Sequence, residues 1–433
     1  MVLSNQFGIS AGYGKIKMHM KNSNQNASKI SATCPACGLL CDDILVSTSP
    51  QLSAEKACTK GVAFFQRANI NENINASIAG QPCNLDAAIN KVVEILSGSS
   101  QPLIAGLGTE VNGARSLMRL AQKINASLDH MHSESGVHHT RALQNGGWIT
   151  TTLAEVKNRA DLILAIGTDI SSTHPRFFER LVENSDSLFR AEAPEVVYLG
   201  SEKNSALNHA SLHTLPSMIS ALNALLQGKK LINSEIGGMS LEALQSLAAK
   251  LKNAKYAVIV WSAGALQMPH AELLIQSITQ LIAKLNETTR AAGLPLNSGD
   301  GDTSVNNTST WLYGYPTRLR FMNGIPDYNT ARYATTALLN DCDALLWVSC
   351  FNPHLPPSTA LPTIVIGHPA MQFEKTPDVF IPVGVPGFDT EGLMFRMDSS
   401  ITLPLKKLRN STLPSLSAVI AMIETKLAAG VSA

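Results

Sequence analysis

A chain of 433 residues is long enough for two or three domains, and its formal net charge of +1, with no dense basic cluster, excludes a nucleic-acid stripe and a polybasic membrane patch. Charged residues make up 15% of it against the usual quarter or so, a weakly charged surface that suits a subunit hiding much of itself against partners. No apolar run reaches the length of a membrane span, and seven cysteines, four of them between residues 34 and 58, point to metal chemistry in a reducing compartment, hence the cytoplasm.

Residues 1–30 read as a flexible leader: lysines are scattered, and there is neither an apolar signal core nor a twin arginine. The stretch TCPACGLLCDDI (33–44), followed by ACTKG, places Cys34, Cys37, Cys41 and Cys58 in a C-x2-C-x3-C-x16-C array. Thiolates so spaced converge on one small centre, because short loops wrap it and the distant fourth closes the shell, as in iron–sulfur and zinc sites. Pro35 and Gly38 supply the tight backbone, and a small four-cysteine lobe over 31–80 is expected. Cys83, Cys342 and Cys350 stand alone and read as small hydrophobes.

Beyond the lobe, short apolar runs alternate with helical patterns. PLIAGLG (102–108) leads into a helix carrying Ala114, Leu117, Met118, Ala121 and Ile124 at 3 and 4 spacing; DLILAIGTD (161–169) and EVVYLG (195–200) follow. After the polar segment 227–240 come YAVIVWSAG (256–264), the helical AELLIQSITQLIAKL, DALLWVSC (343–350) and PTIVIG (362–367). This predicts α/β architecture with parallel sheets covered by helices on both faces, in two domains over 81–235 and 236–410 before a C-terminal helix over 411–433. The strand ends at 106–110, 167–173, 262–264, 349–354 and 367–369 are expected to line a ligand crevice.

Two loops resemble phosphate cradles only weakly. GLGTEV (106–111) has Val111 where a dinucleotide turn needs its third glycine, and the acidic Asp300 and Asp302 of SGDGDT would repel phosphates. Neither loop carries a basic clamp. His130, His132, His138 and His139 sit in one loop without an acidic or cysteine partner at helical spacing, so they read as solvated or interface histidines. H-E-x-x-H and Walker motifs are absent.

The segments CPACGLLCDDI, ACTKG, GTEVNGA, EVKNRADLILAIGTD, THPR, TWLYGYP and EGLMFRMD, in that order from about residue 31 to residue 410, resemble the B subunit of the formylmethanofuran dehydrogenase family, within the molybdopterin oxidoreductases. The resemblance implies a fold like domains 1–3 of formate dehydrogenase and DMSO reductase. It also implies a 4Fe–4S cluster, or its vestige, at Cys34, Cys37, Cys41 and Cys58, and a tungsten or molybdenum bis-pterin cofactor between α/β domains. In the redox-active family members a cysteine ligates that metal just before an ALQ-type segment, here Ala142, Leu143 and Gln144. Counting back reaches Ser135, and no cysteine occurs from 84 to 341. A hydroxyl is a poorer ligand than a thiolate for a metal dithiolene, so the molybdopterin or tungstopterin is expected to be absent. Loss of the ligand with retention of the fold resembles the formyltransferase/hydrolase complex of methylotrophic bacteria, which passes formyl groups from tetrahydromethanopterin to a methanofuran analogue and releases formate. The expectation is therefore a non-catalytic B subunit partnered by formyltransferase, hydrolase and small C subunits, with neither nucleic acid nor membrane as a partner. The alternative is a redox-active tungsten or molybdenum subunit using Ser135 and a live cluster.

Overall fold

The computed structural model describes residues 29–49, 51–70, 74–183, 186–200 and 212–430, so the expected leader, apart from Lys29 and Ile30, lies outside the described residues. A nine-stranded sheet runs, in order across it, Ile325–Tyr328, Leu319–Met322, Ser127–His130, Pro102–Gly108, Ala344–Ser349, Thr363–Gly367, Val379–Pro382, Ala76–Ile78 and Gln81–Cys83. Its five middle strands are parallel, and antiparallel hairpins finish both edges. A second, four-stranded parallel sheet runs Ala291–Leu296, Ala257–Ser262, Leu162–Ile166 and Glu195–Leu199.

The central strands are parallel because their apolar residues are continuous rather than alternating. Every residue of Pro102–Gly108, Ala344–Ser349, Ala257–Ser262 and Leu162–Ile166 is buried, which requires cover on both faces. Helices Leu85–Gly98, Val111–Lys123 and Leu416–Gly430 supply part of that cover on the large sheet, and Leu215–Leu226, Leu241–Asn253 and Ala271–Leu285 on the small one. Among the described residues no helix is long and apolar enough to cross a membrane.

The chain order of the domains differs from the sequence expectation. The small sheet takes strands from both sides of the 235/236 division, and so does the large one, which makes the small-sheet unit an insertion within the large-sheet unit. Parallel neighbours need not be sequential, so strand order cannot be read from a linear series. The four-cysteine lobe is a three-stranded antiparallel sheet (Ile30–Ala32, Ile44–Ser47 and Ser53–Glu55) with helix Thr59–Ala68, while the hairpin Ala76–Cys83 expected with it pairs instead onto the edge of the large sheet. Leu40, Ile44, Phe64 and Phe65 join the lobe to one hydrophobic core with Ile163, Val258 and Phe388.

The turn after Pro102–Gly108 is fixed by a carboxylate. Glu110 caps helix Val111–Lys123, accepting from the amides of Asn112 at 2.8 Å and Gly113 at 2.7 Å, and it also accepts from Leu393 N at 3.2 Å, which ties the strand Gly392–Phe395 to the helix start. Burial pushes this carboxyl up, against the three amides that favour its charge. Glu110→Ala is expected to lower stability by about 1–2 kcal/mol in urea denaturation, and Glu110→Gln, which still accepts, by less.

Candidate functional site

The cysteine lobe places Cys37, Cys41 and Cys58 within electrostatic reach of Cys34. Cys34 N donates to Cys41 O at 2.8 Å and Leu40 N to Cys37 O at 3.2 Å, closing the loop that carries the first three cysteines, while Cys58 stands at the N-terminus of helix Thr59–Ala68. Burial pushes the Cys34 thiol up, the more so because Cys37, Cys41 and Cys58 lie within electrostatic reach of it. It raises Cys37 to about 11 for the same reasons. The amides of Ala36 and Leu39 donate toward the sulfurs of Cys34 and Cys37, and the guanidinium of Arg180 toward Cys41, all favouring thiolates. Gly61 keeps the helix clear: a Cβ there would lie 3.1 Å from Cys34 Sγ. Clustered soft donors with amide donors already in place fit an iron–sulfur or zinc centre, which Cys34, Cys37, Cys41 and Cys58 would hold. An iron–sulfur cluster would supply one-electron transfer. Among the described residues no three His, Cys, Asp or Glu side chains already close on one metal point.

Beside this lobe lies a cavity of about 640 Å³, lined among others by Cys37, Lys60, Ser135, His138, His174 and Asn297. It opens where the small sheet changes winding direction, between Leu162–Ile166 and Ala257–Ser262, and helix Ser133–Gly146 starts at its wall. Of the expected crevice segments, Thr173 and Ser262 to Gly264 line it, and those at 106–110, 349–354 and 367–369 do not. The reason is a plug. Gly301, at φ +78°, is packed so closely over the end of strand Pro102–Gly108 that a Cβ would lie 2.1 Å from Thr109 O, which fills the large sheet's own switch point with the chain itself.

Asp300, the residue before the plug, is a buried knot. One carboxylate oxygen accepts from His132 Nε2 at 2.8 Å and His354 Nε2 at 3.2 Å, and the other from Asn352 Nδ2 at 2.6 Å. Burial opposes its charge, yet these three donors outweigh burial and hold the carboxyl well below the usual range. In the sequence Asp300 speaks against a phosphate cradle; in the fold its work is structural, tying the loop after the small sheet to loops after two strands of the large one. The histidines are not free in a loop: each is held by the fold. His130 is buried and His139 half-buried, desolvation holds both down to about 4, and His139 accepts from Trp261 Nε1 at 3.0 Å. His138 donates through Nδ1 to Glu272 at 2.7 Å, a partner 134 residues away in the chain.

Ser135 stands on the first turn of helix Ser133–Gly146, at the cavity wall. Its hydroxyl donates to His132 O at 3.0 Å and lies 3.3 Å from Ser298 Oγ. A hard hydroxyl engaged with its own helix is a poor match to a metal dithiolene.

The sequence profile described as molybdopterin oxidoreductase matches residues 85–302, half of the chain. The chain belongs to the molybdopterin oxidoreductase family. Within it, the chain is similar to the B subunit of the tungsten-containing formylmethanofuran dehydrogenase 2 of Methanocaldococcus jannaschii, with 25% identity over 406 residues, covering 87% of this chain and 93% of that one. It is also similar to the B subunit of the formyltransferase/hydrolase complex Fhc of Methylorubrum extorquens, 29% identical over 331 residues, covering 74% and 88% respectively. Among solved structures it is similar to a chain of the formyltransferase/hydrolase complex FhcABCD from Methylorubrum extorquens in complex with methylofuran, with a TM-score of 0.70 and 26% identity, over 83% of this chain and 100% of that one.

Asp300→Asn leaves the knot with a weaker acceptor and is expected to cost about 2 kcal/mol or more. Its pH dependence follows from both partners. The hydrogen bond that His354 donates to Asp300 raises His354, so that contribution is full below the ordinary histidine value of 6.5 and is lost as pH rises through the raised value. Asp300 is lowered, so its contribution is full above 3.8 and is lost as pH falls through the lowered value. The difference in melting temperature between wild type and Asp300→Asn should therefore be largest between pH 3.8 and 6.5 and shrink on either side.

Proposed function

We propose that this chain is the B subunit of a formyltransferase/hydrolase complex in tetrahydromethanopterin-linked one-carbon metabolism, acting in the cytoplasm as a scaffold whose pterin–metal redox site has been lost. The observation that carries the reading is Ser135: at the place where a redox-active relative needs a soft metal ligand, this chain has a hydroxyl bonded to the carbonyl of its own helix start. Among the described residues lining the cavity, Lys60 alone is a lysine or arginine that could hold pterin phosphates. Over most of its length the chain is like the B subunits of both a tungsten-containing dehydrogenase and the Fhc complex, and the missing ligand favours the second.

The scaffold's work is spatial. A formyl group carried between a transferase and a hydrolase reaches the second site faster when a rigid body holds both within reach of one tethered carrier, which raises the effective concentration. The partners are formyltransferase, hydrolase and small C subunits. Exposed apolar residues on the edge hairpin of the large sheet, Met322 and Ile325, and on the helix Asp302–Tyr313 and the turn after it, Trp311, Leu312 and Tyr315, support burial against such partners.

Co-expression with those three subunits should yield a complex that releases formate, and omission of this chain should abolish assembly. Elemental analysis of the complex should find neither tungsten nor molybdenum, and Ser135→Ala should leave formate release within about twofold of wild type, since a lost metal ligand costs nothing to a scaffold. Stoichiometric tungsten or molybdenum, or formate release lost in an assembled Ser135→Ala complex, would overturn the reading in favour of a redox-active subunit. Iron and zinc in the same analysis decide whether the cysteine lobe is filled: either metal, lost in Cys34→Ser, is a live centre, and neither is a vestige.

A further inference from the structure

Three serine hydroxyls ring one point of the cavity, and no side chain occupies it. A Cβ built on Gly264 would lie 3.6 Å from Ser298 Oγ, 3.8 Å from Ser262 Oγ and 3.9 Å from Ser135 Oγ, its three nearest atoms. The serines come from three elements: the end of strand Ala257–Ser262, the loop after strand Ala291–Leu296 and the first turn of helix Ser133–Gly146. All three line the cavity. Ser262 is 5% exposed, yet its hydroxyl bonds nothing among the described residues. Unlike the sealed hydroxyls of Thr109, Thr168 and Ser309, it keeps accessible surface, and Ser298 beside it is exposed, so the ring can be reached from the cavity.

The direction of the hydrogen bonds decides what kind of group fits. The Ser135 proton goes to His132 O at 3.0 Å, a carbonyl that can only accept, so across the 3.3 Å between the two hydroxyls it is Ser298 that donates. The Ser298 oxygen is left with lone pairs for the cavity, and a hydroxyl that donates is the stronger acceptor for it. Ser262 adds an oxygen free to accept. Charge behind the wall has the same sense: Asp302 accepts from Ser298 N at 2.8 Å, Asp300 from His132 Nε2 at 2.8 Å, and Glu134, paired with Arg318 at 2.6 Å, lines the cavity. The one lysine or arginine among the described lining residues, Lys60, gives a bond to Thr173 O at 2.8 Å. Oxygen lone pairs backed by carboxylates suit a cation that brings its own N–H donors. A quaternary ammonium has the charge without the donors, and an alcohol has a donor without the charge.

We infer that the cavity binds a primary ammonium group, which donates to Ser298 Oγ and Ser262 Oγ over Gly264 and leaves the rest of its ligand in the space of about 640 Å³. The site goes beyond the scaffold reading and does not rest on it.

Ligand-observed saturation-transfer NMR at pH 7 tests this on the full chain, with the subunits that co-purify with it, using three probes that share one ring: benzylammonium, benzyltrimethylammonium and benzyl alcohol. Met131, Leu266 and Met268 of the lining offer that ring apolar contact. Benzylammonium should bind saturably, and the other two at least about tenfold more weakly. Gly264→Ala sets a methyl group on the point itself while clearing its neighbours at ordinary contact distance, and its φ lies outside the left-handed region. It should weaken benzylammonium at least about tenfold with the melting temperature unchanged. Ser298→Ala, at an exposed position, removes one acceptor and should weaken the probe about threefold or more; it stands in if Gly264→Ala fails to fold. Potassium chloride should displace benzylammonium no better than tetramethylammonium chloride at equal concentration. Specific displacement by potassium would assign the ring to an alkali ion and overturn the inference. So would a missing saturable response to benzylammonium, equal affinity for either of the other probes, or unchanged affinity in the variants.

Discussion

A single buried carboxylate sets the relation of the two sheets. Asp300 belongs to the loop that leaves the small sheet, yet its hydrogen-bond donors, His132, His354 and Asn352, all follow strands of the large sheet. In a low-dielectric site a carboxylate without donors would take up a proton or pull the loop toward water, so the three donors and the charge require one another. Next to it Gly301 can sit on Thr109 O because it lacks a side chain and tolerates a positive φ. The knot and the plug together decide which of the two switch points stays open.

That choice has a chemical consequence. Open α/β sheets offer ligands the crevice at the carboxyl ends of their strands, and this molecule has two such places, one per sheet. The chain's own backbone closes the large sheet's. The small sheet's remains as a cavity with the cysteine lobe at one wall and helix Ser133–Gly146 at another, so Cys37, Lys60 and Ser135 border one space although 98 residues of sequence separate the first from the last. A cavity walled by histidines, with Lys60 as its one lysine or arginine among the described residues, differs in kind from a phosphate site, where a dinucleotide would need cations.

The lobe shows a similar economy of charge. Burial pushes the Cys34, Cys37 and Cys41 thiols up, while amides and Arg180 favour their thiolates. Arg180 is itself balanced by Asp42, and neighbouring Arg176 by Asp43 and Glu179, so the cations against the lobe are paired rather than free to attract other anions. Metal binding would supply the free energy that removes the protons of such buried thiols.

The sequence by itself determined the features that depend on neighbours in the chain. The strands at 102–108, 161–169 and 256–264 and the helices that follow them are periodic apolar segments with local stops, the cysteine array is a local spacing, and the absent thiolate at Ser135 is a matter of residue identity. The strand Ser127–His130 escaped notice because buried Asp129 and His130 break its apolar pattern, and the edge hairpin Leu319–Tyr328 because its outer strand is half-exposed. Only the tertiary structure decided the order of strands, since parallel pairing joins segments hundreds of residues apart, such as Pro102–Gly108 and Ala344–Ser349. It alone decided the fate of the histidines as well. His132, His138 and His174 have no partner nearby in sequence; Asp300, Glu272 and Asn297 reach them through space, and a side-chain proton is placed by what lies across a hydrogen bond, whatever its distance along the chain.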